Sequence, residues 1–122
     1  MNIKTAMHSM LASQEEIAAD EERSDSSAQV GCTSVATAGN RERVVVSGVV
    51  RSVILRPRQG VPALEAELFD GSASVDLVWL GRRRIAGIEP GRRIRAEGLV
   101  CLMGGRPMIY NPRYELRARP GE

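Results

Sequence analysis

The sequence predicts an all-β domain, a small closed barrel of five short strands, joined to an acidic N-terminal arm. Three observations lead there. From Arg43 onward, apolar and β-branched residues alternate with polar ones, and Gly, Pro and Asp-Gly signals cut the pattern into short runs. Only the connection between the third and fourth runs, starting at Gly81, is too long for a hairpin. The charge also divides sharply. Residues 1–40 hold two basic and six acidic side chains, net −4, whereas residues 41–122 hold fifteen arginines against nine acids, net +6.

In chain order, the arm comes first. Ser13 with Glu16 forms a capping box, and the Glu and Ala content from Gln14 to Glu22 favours one short helix. The rest of residues 1–40 is expected to be a largely flexible arm, with Gly31 to Asn40 as linker. The first strand runs through Val44–Leu55, with Gly48 as an expected bulge or bend. Residues Arg56 to Pro62 read as a loop by their Pro and Gly content. Ala63 to Phe69 form the second strand and Asp70-Gly71 a turn. Ser72 to Leu80 form the third, with Val75, Leu77 and Trp79 sharing the buried face. Residues 82–88 leave room for a short helix or irregular turn. Arg92 to Met103 form the fourth strand, with Gly98 as a second expected bulge. Arg106 to Asn111 form the fifth, interrupted or placed at an edge by Pro112.

Five short strands with a long connection between the third and fourth match the element order of an OB barrel over residues 41–119, with an SH3-like barrel the nearest alternative. At 122 residues the chain suits one domain. It has no apolar run of transmembrane length and a poor signal sequence, so a cytoplasmic location is expected. Two cysteines, Cys32 and Cys101, and one histidine, His8, make neither a disulfide framework nor a zinc site. No cofactor is expected. Residues 41–122 contain no histidine and no serine with an identifiable base, so the expectation is a binding protein and not an enzyme.

The segments "LRPRQGVPALEAELFDGS", "LVWLGRRRIAGIEPGRR" and "YNPRYEL" closely resemble the small actinobacterial OB-fold proteins named as nucleic-acid or DNA-binding proteins. Those in turn are similar to the OB module of RecG-type helicase wedges and of anticodon-binding domains. The resemblance covers about residues 41–117, and "SQEEIAADE" in the arm also looks like that family's N-terminal helix. It implies an OB fold and nucleic-acid binding, DNA more than RNA, with little sequence preference. The alternative is a protein–protein module docking on a replication or repair partner.

The residues themselves suggest where a nucleic acid would bind. Arg56 and Arg58, with Arg51 just before them, flank a proline-stiffened first loop, where OB folds commonly grip their ligand. Arginine both pairs with phosphate and stacks on bases. Arg82, Arg83 and Arg84 form a concentrated positive run after the third strand, unless they are simply solvated or paired with Glu89 or Asp76. Arg106 opens the fifth strand and Arg113 follows it, and both are candidates for binding. Among the four rings, Trp79 is expected in the core. Phe69 lies on the face opposite Leu64, Ala66 and Leu68 and is the better stacking candidate. Tyr110 could stack or close the barrel edge, as could Tyr114. Glu65 and Glu67 share the Phe69 face, where they would repel phosphate.

Overall fold

The computed structural model describes residues 31–118, so the expected helix around Gln14–Glu22 lies outside the described residues. Six strands are present: β1 (Arg43–Arg58), β2 (Val61–Phe69), β3 (Ser74–Leu80), β4 (Arg93–Met103), β5 (Arg106–Tyr110) and β6 (Arg113–Leu116). They hydrogen-bond in the order β1-β2-β3-β5-β4-β6, and β1 also pairs with β4, so the first five close into a ring. Every pairing is antiparallel except β3 with β5. The parallel pair follows from the long connection, which carries the chain across one end of the ring before β4 begins.

Strand alternation gives the ring its core. Val44, Val46, Val50, Leu68, Val75, Leu77, Ile94, Ala96, Val100 and Ile109 all point inward and are buried. Trp79 joins them as expected. Its indole N–H donates to the Pro112 carbonyl at 3.1 Å, and its ring meets Tyr114 edge-on at 5.8 Å between centroids. The connection of residues 81–92 forms no helix. It tucks Ile85 and Ile88 into the core, and the Tyr114 hydroxyl donates to the Ala86 carbonyl.

The structure differs from the sequence expectation in four places, each for a local reason. Residues 31–40 are not a free linker. Val35 in the 3-10 turn Val35–Thr37 is only 4% exposed and packs in the core. Its N–H donates to Asp70, and the Thr33 N–H donates to the Val45 carbonyl. One well-placed valine outweighs the polar composition around it. Second, the Arg56–Pro62 loop is a hairpin, with β1 continuing to Arg58 and Gln59-Gly60 alone turning the chain, both at positive φ. Pro57 and Pro62 oppose each other one step from the turn, a position where neither lacking N–H is needed by the pairing of β1 with β2.

Third, neither Gly48 nor Gly98 is a bulge. Gly48 pairs regularly with Ile94, and a Cβ there would collide with the Phe69 carbonyl. Gly98 pairs with Val44, and a Cβ would collide with Ile109. Both mark close approach across a narrow interior. The bulge comes at Arg51, where the β1–β2 register shifts between Val50 and Ser52 and β1 passes from β4 to β2. Fourth, a sixth strand exists, because Pro112 breaks the last run and the residues after it pair with β4. No helix among the described residues is long and apolar enough to cross a membrane.

Candidate nucleic-acid interface

The bulge at Arg51 puts Arg51, Ser52, Ile54, Arg56 and Arg58 on the outer face of the ring, level with Phe69, Glu67, Glu65 and Ala63 of β2. Asp76 of β3 and Arg106 and Met108 of β5 continue this face through their pairings. All of these except Arg51, Phe69 and Ala63 line a shallow groove of about 420 Å³ between the β1–β2 and β4–β5 hairpins.

Charge in this groove is interlocked. Arg58 donates to Glu65 Oε1 at 2.5 Å, and Arg56 Nε lies 3.4 Å from Oε2, within ion-pair reach but without hydrogen-bond geometry. Glu65 is only 8% exposed, so these guanidiniums compensate a carboxylate with little water of its own. Across β2 and β3, Glu67 and Asp76 face each other directly, an unfavourable like-charge pair. Arg106 resolves it. Its Nε and Nη2 hold both Asp76 oxygens at 2.5 and 2.9 Å, and Nη2 lies 3.6 Å from Glu67 Oε1. The hydrogen bond from Arg58 to Glu65 and that from Arg106 to Asp76 raise both guanidinium pKa values, against a smaller opposing effect of burial. Both therefore stay charged at any working pH. Glu65 and Asp76 are thus neutralised within the protein, Glu67 is held more loosely, and Arg58 and Arg106 are largely committed to these acids.

The Phe69 ring is not bare either. The Arg51 guanidinium lies over it, 3.6 Å from the ring centroid, and Arg51 itself is exposed. Tyr110 is half-buried beside Ala63, Val78 and Met108, its hydroxyl 3.5 Å from Arg58. Tyr110 and Tyr114 are thus parts of the structure more than open platforms.

Residues distant in sequence meet at one end of the ring. Leu80 pairs with Ala63, the Gly81 N–H donates to the Pro62 carbonyl at 2.7 Å, and the Leu80 N–H donates to Asn111 Oδ1 at 3.0 Å. The run Arg82–Arg84 therefore begins beside the β1–β2 hairpin that bears Arg56 and Arg58. Arg113 follows Asn111 and Pro112 but lies on another face, opposite Glu97 of β4 and near Val45 and Arg95. Arg82, Arg83, Arg84 and Arg113 are exposed and make no hydrogen bond or ion pair among the described residues. Asp76 is taken by Arg106, so it does not serve as their partner. Arg106 lies apart from the Arg82–Arg84 run, further along the groove, and Arg51 sits over Phe69.

Sequence reasoning missed how the groove's charges are distributed. Alternation placed Glu65 and Glu67 correctly, but Arg106 reaches Asp76 only because β5 lies parallel to β3. No spacing in the chain signals that contact. Among the described residues, no group of three His, Cys, Asp or Glu side chains could hold a metal ion.

No protein-family model and no curated protein matches the chain. A solved structure of RecG bound to a three-way DNA junction is similar to it over 67% of this chain, with a TM-score of 0.53 and 25% identity. The match spans only 12% of the length of that RecG chain. Strand order, ring closure and this likeness agree on an OB-like fold.

Proposed function

We propose that the protein binds nucleic acid, DNA in preference to RNA and with little dependence on sequence, as a binding protein and not as an enzyme. The observation that carries this is the unpartnered run Arg82–Arg84, which begins at the end of the groove beside the β1–β2 hairpin. Arginines without internal partners are free to pair with phosphate, and three together favour a polyanion over a single anion. The DNA in the similar RecG structure supports the choice of polyanion. In this reading the phosphates run past the free arginines while bases lie toward Arg51 and Phe69. These two ends are about 20 Å apart along β2, at roughly 3.3 Å per residue, a span of a few nucleotides.

Fluorescence anisotropy with labelled single-stranded, duplex and forked DNA and with RNA of equal length, at low salt, tests this. Binding to DNA that weakens steeply with salt is the expected result. A second reading, docking on a replication or repair protein, is favoured by Leu99, Leu102 and Met103, which lie exposed along β4. Absence of binding to every nucleic acid would leave that reading standing alone.

A further inference from the structure

The groove holds three carboxylates, a costly arrangement in a site facing a polyanion. Two are satisfied internally. Asp76 has both oxygens on Arg106, and the buried Glu65 is held between Arg58 and Arg56. Glu67 differs. It accepts one hydrogen bond, from the Ser74 hydroxyl to Oε2 at 3.0 Å, and otherwise has only the looser 3.6 Å approach of Arg106 to Oε1. Its side chain is 30% exposed. A carboxylate offers about four acceptor positions and no donor, so Glu67 retains acceptor capacity facing the groove. Two residues along the same face, roughly 7 Å away, Phe69 carries the exposed Arg51 guanidinium on its ring.

From this juxtaposition we infer that the groove reads an unpaired guanine, its ring stacked on the Arg51 guanidinium backed by Phe69 and its Watson–Crick edge donating to Glu67. The inference rests on the nucleic-acid reading above and adds a base to it. Guanine is the base whose Watson–Crick edge presents two neighbouring donors, N1–H and the N2 amino group, matching the two oxygens of one carboxylate. Adenine and cytosine each set a ring-nitrogen acceptor beside their amino group, and that acceptor would face Glu67 unfavourably. Thymine offers one N–H between two carbonyls. A planar guanidinium is a sequence-tolerant stacking surface, so Arg51 supplies affinity and Glu67 supplies the choice. One such contact in a half-open groove gives only a several-fold preference, compatible with phosphate-dominated binding elsewhere.

The test compares oligothymidylates carrying one central guanine, inosine, adenine, cytosine or thymine, titrated against the full chain by anisotropy, with guanosine monophosphate as competitor. The guanine strand is expected to bind about fivefold tighter than the thymine strand, the low end for a paired contact to a base edge. Inosine, which lacks the N2 amino group, should lose most of that gain. Glu67→Gln keeps an oxygen for Ser74 but replaces one acceptor with a donor. It should abolish the guanine preference, with an unaltered melting curve confirming the fold. Arg51→Ala should weaken all the strands alike. Displacement by guanosine monophosphate at concentrations similar to the oligonucleotide would identify the free nucleotide as the source of the guanine. Equal binding of the five strands overturns the guanine inference and leaves the nucleic-acid reading intact. A guanine preference that survives in Glu67→Gln overturns the role of Glu67. Failure of every strand to bind overturns both.

Discussion

Asp70 shows how one side chain can join segments far apart in sequence. It is 5% exposed, and its oxygens accept from the backbone N–H groups of Val35, Ser72 and Ala73 and from the Ser72 hydroxyl. The carboxylate thus closes the β2–β3 turn and anchors the segment before β1 to it. Replacing it with alanine strands several donors at once, each costing roughly 1–3 kcal/mol when left unpaired in a buried setting. Asp70→Ala should therefore lower unfolding free energy by about 2–4 kcal/mol in a urea titration, and Asp70→Asn by less, because it retains one acceptor oxygen. The Asp-Gly pair announced the turn from sequence. That Asp70 also holds Val35 was not legible, because the two lie 35 positions apart and share no pattern.

The β1–β2 hairpin is the element on which both fold and groove depend. Gly48 lets β1 approach the end of β2, and Gly48→Ala would drive a methyl group into the Phe69 carbonyl. A steric insertion of that kind typically costs about 1–3 kcal/mol, and here it should also displace Phe69 from Arg51. The melting temperature and the affinity for every strand should therefore fall together. Further along the hairpin, Arg58 serves stability before binding. Arg58→Ala leaves Glu65 without its shortest partner, and since Arg58 is itself about a quarter exposed, a loss of about 1–2 kcal/mol is expected. Adding Glu65→Ala should recover much of it, the signature of a buried charge left unpaired, and a double-mutant cycle in urea measures that coupling. The sequence made Arg56 and Arg58 look like the natural phosphate contacts. Alternation put Glu65 on their face, but the pairing of Ile54 with Glu65 that brings the three together depends on the bulge at Arg51.

Across the whole molecule, the free arginines and the acidic N-terminal residues carry opposite charge. Neutralising one phosphate of a single strand contributes about 0.7 to the slope of log affinity against log salt. Converting Arg82, Arg83 and Arg84 together to alanine should flatten that slope by roughly 2. The paired Arg56 and Arg58 should change it less, and an equal or larger change from them would shift the phosphate track onto the hairpin. Residues 1–30 carry two basic and six acidic side chains, net −4, tethered to a body of net +6. Their removal should strengthen DNA binding at low salt, the gain vanishing as salt screens the tether. The cut matters. A chain starting at residue 31 keeps Val35 and its bond to Asp70, whereas one starting at residue 40 loses both and should melt earlier.

Read along the chain alone, the sequence determined five of the six strands, their order and the faces that turn inward. Val75, Leu77 and Trp79 alternate with Asp76 and Val78 whatever lies beside them, since side-chain period is a property of the backbone and not of its neighbours. It also placed most of the arginines and rings on their strands and turns, although Arg56 and Arg58, expected in a loop, lie on β1. Only the tertiary structure decided which charges are spent on one another. Arg106 finds Asp76 across a parallel pairing, Arg51 covers Phe69 through a bulge, and Arg82–Arg84 stay unpartnered beside the hairpin. Ion pairing and stacking depend on distances of a few ångströms between residues tens of positions apart, which ring closure sets and no local pattern encodes.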